Sequence, residues 1–221
     1  MKMGAIEVVT ILMSILVMGD PAAAQPAFVP GEILVRFAPG SAGMAAVEKA
    51  LQAGSPGLRA LDPAVADLST AARIPLQASR VAGGNWVVIA VRTDELARQT
   101  ADRLRTHRNV EAVEELSPGS GLQPPGRSAQ GLAIRFRPRS PESAVLEKAL
   151  SGEPDDHAAR LAGDLAVFVA LPLRGLALDG PRLRVDIDVP ALTPVLLERL
   201  RPLKDIQSVQ PNYVLGIRPP P

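Results

Sequence analysis

An internal repeat constrains this sequence more than any other feature. The segment GEILVRFAPGS at residues 31–41 returns as QGLAIRFRPRS at 130–140. At the same shift of about 99 positions, VEKAL at 47–51 returns as LEKAL at 146–150. A chain that carries one pattern twice is expected to fold as two related units, each built from the same order of helices and strands.

The far ends of the two copies also align, at a slightly smaller shift. WVVIAV at 86–91 corresponds to RLRVDI at 182–187, and NVEAV at 109–113 corresponds to DIQSV at 205–209. Matches at both ends with looser middles are typical of duplication followed by divergence. Chance similarity in a chain rich in alanine and leucine is the alternative explanation.

The periodicity of apolar residues assigns elements to each copy. Alternating and β-rich runs predict strands at 33–37, 86–91 and 110–114, and helical spacing predicts helices at 41–52 and 94–107. The second copy has the same pattern, with a helix that begins near Ser140 and Pro141. The middles, 58–79 and 161–178, are each expected to hold one more strand, with 167–171 the clearer of the two.

The sum is an α+β protein made of two tandem ferredoxin-like (βαββαβ) modules with antiparallel sheets. In such a module both helices cover one face of the sheet, and the other face is free to meet a partner. The predicted organisation is a signal peptide at 1–24, module one at 25–116, a Pro/Gly/Ser linker at 117–129, module two at 130–216 and a Pro-rich tail at 217–221.

The first residues have the composition of a secretory signal peptide. Lys2 precedes an apolar run at 8–19, and small residues follow, so cleavage is expected at Ala22 to Ala24, before Gln25. The apolar run is short for a membrane span, which needs about 20 residues. The sequence therefore predicts an exported protein, periplasmic or secreted, with no membrane contact after cleavage; an uncleaved anchor is the alternative.

Composition excludes several classes of function. The formal net charge of +1 gives no concentrated basic face, so no nucleic-acid partner is expected. The absence of cysteine excludes disulfides, thiolate metal sites, a lipoprotein anchor and a cysteine nucleophile. Aromatic residues make up only 3% of the chain, so the cores must be built from Leu, Val, Ile and Ala.

No group of residues predicts catalysis, a metal site or a cofactor. The sequence has no Gly-x-Ser-x-Gly elbow, and its two histidines, His107 and His157, are expected at the surface. Asp155 and Asp156 beside His157 supply too few ligands for a designed metal site. Asp186 and Asp188 alternate with apolar residues and are expected to face solvent, and Trp86 is expected in the core.

Two segments resemble the propeptides that precede subtilisin-type serine proteases. VPGEILVRF at 29–37 is similar to their opening strand, and IQSVQPNY at 206–213 is similar to their closing strand. The first copy departs from the family at its close, where VEEL stands at 113–116, and the second departs at its opening, where Gln130-Gly131 replaces Pro-Gly-Glu. The middles are longer than such propeptides usually need.

The resemblance implies a function without catalysis. Family propeptides pack an open sheet face on the protease, assist its folding and lay a C-terminal tail in the cleft, where the tail adds a strand. The partner implied here is a subtilisin-type serine protease. The residues implied to bind it are Pro211, Asn212, Tyr213, Val214, Leu215, Gly216, Ile217 and Arg218.

The bond after Arg218 leads into Pro219, so the tail is expected to be held in a cleft and cut slowly. An ordinary frayed terminus is the alternative for these last residues. For the whole chain, the alternatives to an exported inhibitor or chaperone are a periplasmic interaction or scaffold module, and the remnant N-terminal part of a protease precursor.

Overall fold

The structure, a computed structural model, describes residues 28–116, 131–150 and 156–213. Within these residues the chain is α+β, with two four-stranded antiparallel sheets and six α-helices. The predicted α+β class and the antiparallel character of both sheets are confirmed.

The two copies contain the same succession of elements. The first consists of β1 (Phe28–Phe37), α1 (Ala42–Ala53), a 3-10 helix (Ser55–Leu61), α2 (Asp62–Ala72), β2 (Leu76–Ala82), β3 (Trp86–Val91), α3 (Thr93–Arg105) and β4 (Val110–Glu115). The second consists of β5 (Gly131–Phe136), α4 (Pro141–Leu150), α5 (Asp156–Val169), β6 (Leu173–Asp179), β7 (Arg182–Ile187), α6 (Val189–Leu200) and β8 (Ile206–Tyr213).

The middle segments of the two copies differ from the prediction. Each holds the one further strand that was predicted, but each also holds an additional helix, α2 or α5. These helices explain why the middles are long. The predicted strand at 167–171 is wrong, because these residues form the end of α5 and the turn after it. The true strand, β6, begins at Leu173.

Equivalent residues make equivalent hydrogen bonds in the two copies. The hydroxyl of Ser41 accepts from the backbone N–H of Met44 at 3.2 Å, and that of Ser140 accepts from Ser143 at 3.1 Å. Both serines thereby satisfy an N–H of the first helical turn, which otherwise has no partner. This agreement in detail supports duplication as the origin of the repeat.

The two sheets do not correspond to the two copies of the repeat. Sheet A has the order β2-β3-β1-β8, and sheet B has the order β4-β5-β7-β6. Each copy therefore gives its last strand to the sheet of the other copy. The sequence predicts that each copy completes its own sheet, and the structure differs because the final strands are exchanged.

The exchange includes the helix before each final strand. α6 packs on β1 and β8, whereas α3 packs on β4 and β5. The described part of the molecule thus consists of half A, residues 28–91 and 189–213, and half B, residues 93–116, 131–150 and 156–187. The most extensive contacts between elements lie within each half.

Single residues connect the halves at equivalent places. Arg92 lies between β3 and α3, and its N–H donates to the carbonyl of Pro75 at 2.9 Å. Asp188 lies between β7 and α6, and its N–H donates to the carbonyl of Pro172 at 3.0 Å. Because only one residue separates strand from helix, each helix leaves its strand at once and enters the other half.

Each half buries one face of its sheet under its helices. In sheet A the inward residues are Ile33, Val35, Phe37, Val87, Ile89 and Val91, and in sheet B they are Leu132, Ile134, Phe136, Leu183, Val185 and Ile187. Leucines of the helices cover them, among them Leu68, Leu96, Leu146, Leu165, Leu192 and Leu196. The buried apolar side chains of both halves form one cluster, which makes the exchanged arrangement a single folded unit.

Candidate interface on sheet A

The candidate interface is the face of sheet A that points away from the helices. Side chains alternate between the two faces of a strand, so this face carries the residues between the core positions. We call it open face A, defined by Glu32, Leu34 and Arg36 of β1, Arg80 of β2, Trp86, Val88 and Ala90 of β3, and Ser208 and Gln210 of β8.

The centre of open face A is apolar. Leu34 is paired with Val88, and Val88 is completely buried although it lies outside the helix-covered core. Trp86 and Leu34 are half-buried. The expectation that Trp86 belongs to the core is wrong, because Val87 and Ile89 take the inward positions of β3 and Trp86 takes the opposite face.

Charged side chains surround this centre. Glu32, Arg36 and Arg80 come from the two neighbours of β3. The buried Nε atom of Arg36 has no hydrogen-bond partner among the described residues. An apolar centre with a polar rim is the usual composition of a surface that associates with another protein.

The closing strand β8 forms an edge of sheet A and pairs with β1. Pro211 lies opposite Ile33, a position that suits an edge strand because proline has no N–H to donate. The buried Asn212 donates from Nδ2 to Oε2 of Glu32 at 2.6 Å, which fixes the end of β8 against β1. Tyr213, opposite Phe28, is 42% exposed and available for contact.

This geometry unites the two segments that carry the propeptide resemblance. They are far apart in the sequence, at 29–37 and 206–213, but they lie side by side in sheet A as β1 and β8. The close of copy one and the opening of copy two, which differ from the propeptide family, contribute β4 and β5, and these strands pair with each other in sheet B. The exchange of final strands therefore sorts the family-like strands into one sheet.

Several predicted site residues lie outside the described part of the chain. These are Val214, Leu215, Gly216, Ile217 and Arg218 of the tail, and Ala22, Ala24 and Gln25 of the signal cleavage site. Of the predicted protease-binding set, the structure brings Pro211, Asn212 and Tyr213 together at the end of β8. The roles of the remaining residues stay predictions.

The two aspartates of copy two are not a solvent-facing pair, so that expectation is wrong. Asp188 caps α6, because its Oδ1 accepts from the N–H of Ala191 at 3.2 Å. Asp186 is only 3% exposed, and its Oδ1 has no hydrogen-bond partner among the described residues. Burial raises the pKa of Asp186, against the opposing charges of Arg174 and Arg184.

The histidines are half-buried and belong to no recognisable catalytic arrangement within the described chain. His107 packs its ring edge-to-face against Phe168, with centroids 4.8 Å apart, and its Nδ1 accepts from the N–H of Asn109. In the part of the chain that the structure covers, His, Asp and Glu form no group of three that could hold a metal ion.

No family model matches the chain, and neither a curated protein nor a solved structure matches it. Among the described residues, no helix has both the length and the apolar character required to cross a membrane.

Proposed function

We propose that this chain is an exported, non-catalytic inhibitor or folding chaperone of a subtilisin-type serine protease. In this proposal half A is a ferredoxin-like, propeptide-like module, and open face A packs on the protease. The tail after Tyr213 enters the substrate cleft as an added strand. Half B shares the proposed ferredoxin-like architecture but does not serve as a second docking face.

The observation that supports this proposal most is the pairing of β1 with β8. The opening and closing segments that resemble the propeptide family occur once each, in different copies, and half A contains both. A propeptide-like module is complete only in half A. The other two terminal strands, β4 and β5, differ from the family in sequence and pair with each other in half B.

The position of β8 also supports a role for the tail. β8 is an edge strand that ends at the exposed Tyr213, at the border of open face A. In the proposed complex, sheet and tail engage one protease together. The proline after Arg218 then slows cleavage within the cleft, because the peptide bond into proline lacks an N–H.

A scaffold module is the second candidate, and half B favours it. Half B contains the described residues 93–116, 131–150 and 156–187, and ion pairs link strands on the outer face of its sheet. In this alternative the exchanged halves form a rigid carrier, and open face A binds a partner other than a protease. Fold alone does not decide between these functions.

Inhibition of subtilisin-type proteases by purified residues 25–221 tests the proposal. A version truncated after Tyr213 removes the tail, and Trp86→Ala removes the largest side chain of open face A. We expect tight inhibition by the parent, and at least about tenfold weaker inhibition by either variant, since buried tryptophans often dominate interface energies.

The matched control is Arg182→Ala, which changes the position in half B that corresponds to Trp86. The control should inhibit as well as the parent. Rapid digestion of the parent, without inhibition of any protease in a panel that includes one encoded beside this gene, would exclude the inhibitor function. Equal losses for Trp86→Ala and Arg182→Ala would exclude open face A as the docking surface.

A further inference from the structure

A groove of about 720 Å³ lies where half A meets half B. Its walls are α2 and the start of β2 on one side, and α3, as far as Arg103 near its end, on the other. Three arginines line it, Arg73, Arg92 and Arg103, together with the amides Gln77 and Gln99 and the carboxylates Asp62 and Glu95. The volume falls in the range of small-ligand sites, about 300–1,000 Å³.

The three arginines differ in how far the protein satisfies them. Arg92 forms an ion pair with Glu95 at 2.6 Å. Arg103 donates one Nη1 hydrogen bond to the carbonyl of Val169 at 3.2 Å. Arg73 is exposed, and its guanidinium contacts no hydrogen-bond or ion-pair partner among the described residues. Since a guanidinium has five N–H donors, Arg73 and Arg103 keep most of theirs available.

The duplicated structure offers an internal control for what the fold requires. The equivalent of Arg73 is Ala170, and both residues have φ 54° at the turn after a helix. Their N–H groups make the same bond, Arg73 to Thr70 at 3.3 Å and Ala170 to Val167 at 3.2 Å. The fold therefore forms this turn with alanine and needs no arginine there.

The second junction between the halves is lined differently. Its groove carries Ala170, Leu171, Pro172, Val195, Glu198 and Arg199. Val195 stands where Gln99 stands in the first groove, and Asp188 where Arg92 stands. Both junctions have an arginine at one equivalent position, Arg103 in the first and Arg199 in the second. This arginine has a structural role, because in each junction it donates to a carbonyl at a helix end. Arg73 and Gln99 have no such role.

Positive charge exceeds negative charge in the first groove, where three arginines accompany Asp62 and Glu95 and where Arg92 is already paired with Glu95. The pKa of Arg199, which lines the second groove, is lowered by burial and, after that, by repulsion from Arg73 and Arg103, while Glu198 opposes the shift. The guanidinium groups of Arg73 and Arg103 are thus close enough to that of Arg199 to repel it. A bound anion would relieve this repulsion, because guanidinium groups pair strongly and often bidentately with phosphate and carboxylate.

We propose that the groove between the halves binds an oxyanion group with at least two negative charges, of the phosphate type, through Arg73 and Arg103. Gln99 lines the same groove; its Nε2 donates one hydrogen bond to Oε1 of Glu95 at 3.2 Å and has a second N–H available. The site is independent of open face A, and it holds whether or not the chain inhibits a protease. A ligand here touches both halves and so stabilises their exchanged arrangement.

Calorimetric titration of the full chain with inorganic phosphate, at constant ionic strength against chloride, tests the site. We expect saturable binding of one phosphate per chain. Arg73→Ala introduces the residue that the other copy carries, so the fold tolerates it, and it should weaken binding at least about tenfold. Gln99→Val likewise introduces the residue of the other copy, and it should weaken binding to a smaller extent.

The matched control is Arg98→Ala, which removes an exposed arginine of α3 that does not line the groove. It should leave phosphate binding unchanged, and circular dichroism checks that each variant is folded. No saturable binding at millimolar phosphate would overturn the proposal. Binding that survives Arg73→Ala, or that Arg98→Ala weakens equally, would overturn it as well.

Discussion

The outward faces of the two sheets differ, although their inward faces are alike. On open face A, β3 presents Trp86, Val88 and Ala90. At the equivalent positions of sheet B, β7 presents Arg182, Arg184 and Asp186. Both strands keep aliphatic residues on the side that faces the helices.

Ion pairs connect strands across the outer face of sheet B, one between the neighbours β5 and β4 and one that reaches from β7 across β5 to β4. Arg182 of β7 approaches Glu114 of β4 at 2.8 Å, and Arg135 of β5 approaches Glu111 of β4 at 3.2 Å. Such pairs suit a solvated surface but add little stability, typically about 0–1 kcal/mol each. The comparison teaches that the fold depends mainly on the inner faces, so the outer face of one sheet could become charged while that of the other kept an apolar centre.

The largest expected effect on the free energy of unfolding tests whether the inner faces of the two sheets contribute equally to stability. Phe37 of β1 and Phe136 of β5 are equivalent, and both are almost completely buried. Phe37→Ala and Phe136→Ala should each lower the free energy of unfolding by about 3–5 kcal/mol, measured by urea denaturation. A loss below about 1 kcal/mol for either variant would contradict the equivalence of the two cores.

The next effect concerns the arginines that bind helix ends in the two halves. Arg199 donates to the carbonyls of Ala72 at 2.6 Å and Ala170 at 2.7 Å, which lie in different halves. Among the described residues, Arg103 donates only to the carbonyl of Val169. Arg199→Ala should therefore cost about 1.5–3 kcal/mol in urea denaturation, and Arg103→Ala clearly less. Equal costs would show that the bond across the halves contributes nothing.

The smallest effect depends on pH and on the charged outer face of sheet B. Burial raises the pKa of Asp186 above its ordinary value of 3.8, so the folded state holds this proton more tightly than the unfolded chain. The resulting stability is complete below 3.8 and is lost as the pH rises through the raised pKa.

Asp186→Asn removes this titration. Relative to the parent, the variant should therefore gain stability as the pH rises, in urea denaturation series at acidic and neutral pH. Asp164→Asn, an exposed change on α5, is the control and should follow the parent. Parallel pH profiles for the parent and Asp186→Asn would refute the assigned role of Asp186.

Local patterns in the sequence predict most elements because each depends on near neighbours. The strand at 86–91 follows from its run of β-favouring residues, and the helix begun by Ser41 follows from the helical spacing of its apolar residues. The error at 167–171 arose because Val167, Phe168 and Val169 in succession favour a strand. The helical spacing of Leu161, Leu165 and Val169, all buried, was the signal that could have identified α5.

The exchange of final strands could not be predicted from either copy. β4 and β8 have the same alternation of apolar and polar residues. By this pattern alone, each strand could pair equally well at the edge of either sheet. The partner is decided by the short connections at Arg92 and Asp188, which direct α3 and α6 into the opposite half. For the same reason, the sequence gives no sign that Trp86 points away from the core, since neither face of β3 is polar.

The exchange has a consequence for the order in which the molecule forms. The described segments of half B, 93–116, 131–150 and 156–187, follow one another in the sequence, so half B can assemble from neighbouring segments. Half A requires Phe28 to meet Tyr213, so almost the whole described chain must be looped before β1 gains its edge partner. Pairings so distant in sequence form slowly. During synthesis, therefore, we expect half B to fold before β8 is available to pair with β1. Open face A, which includes residues of both strands, is then completed last.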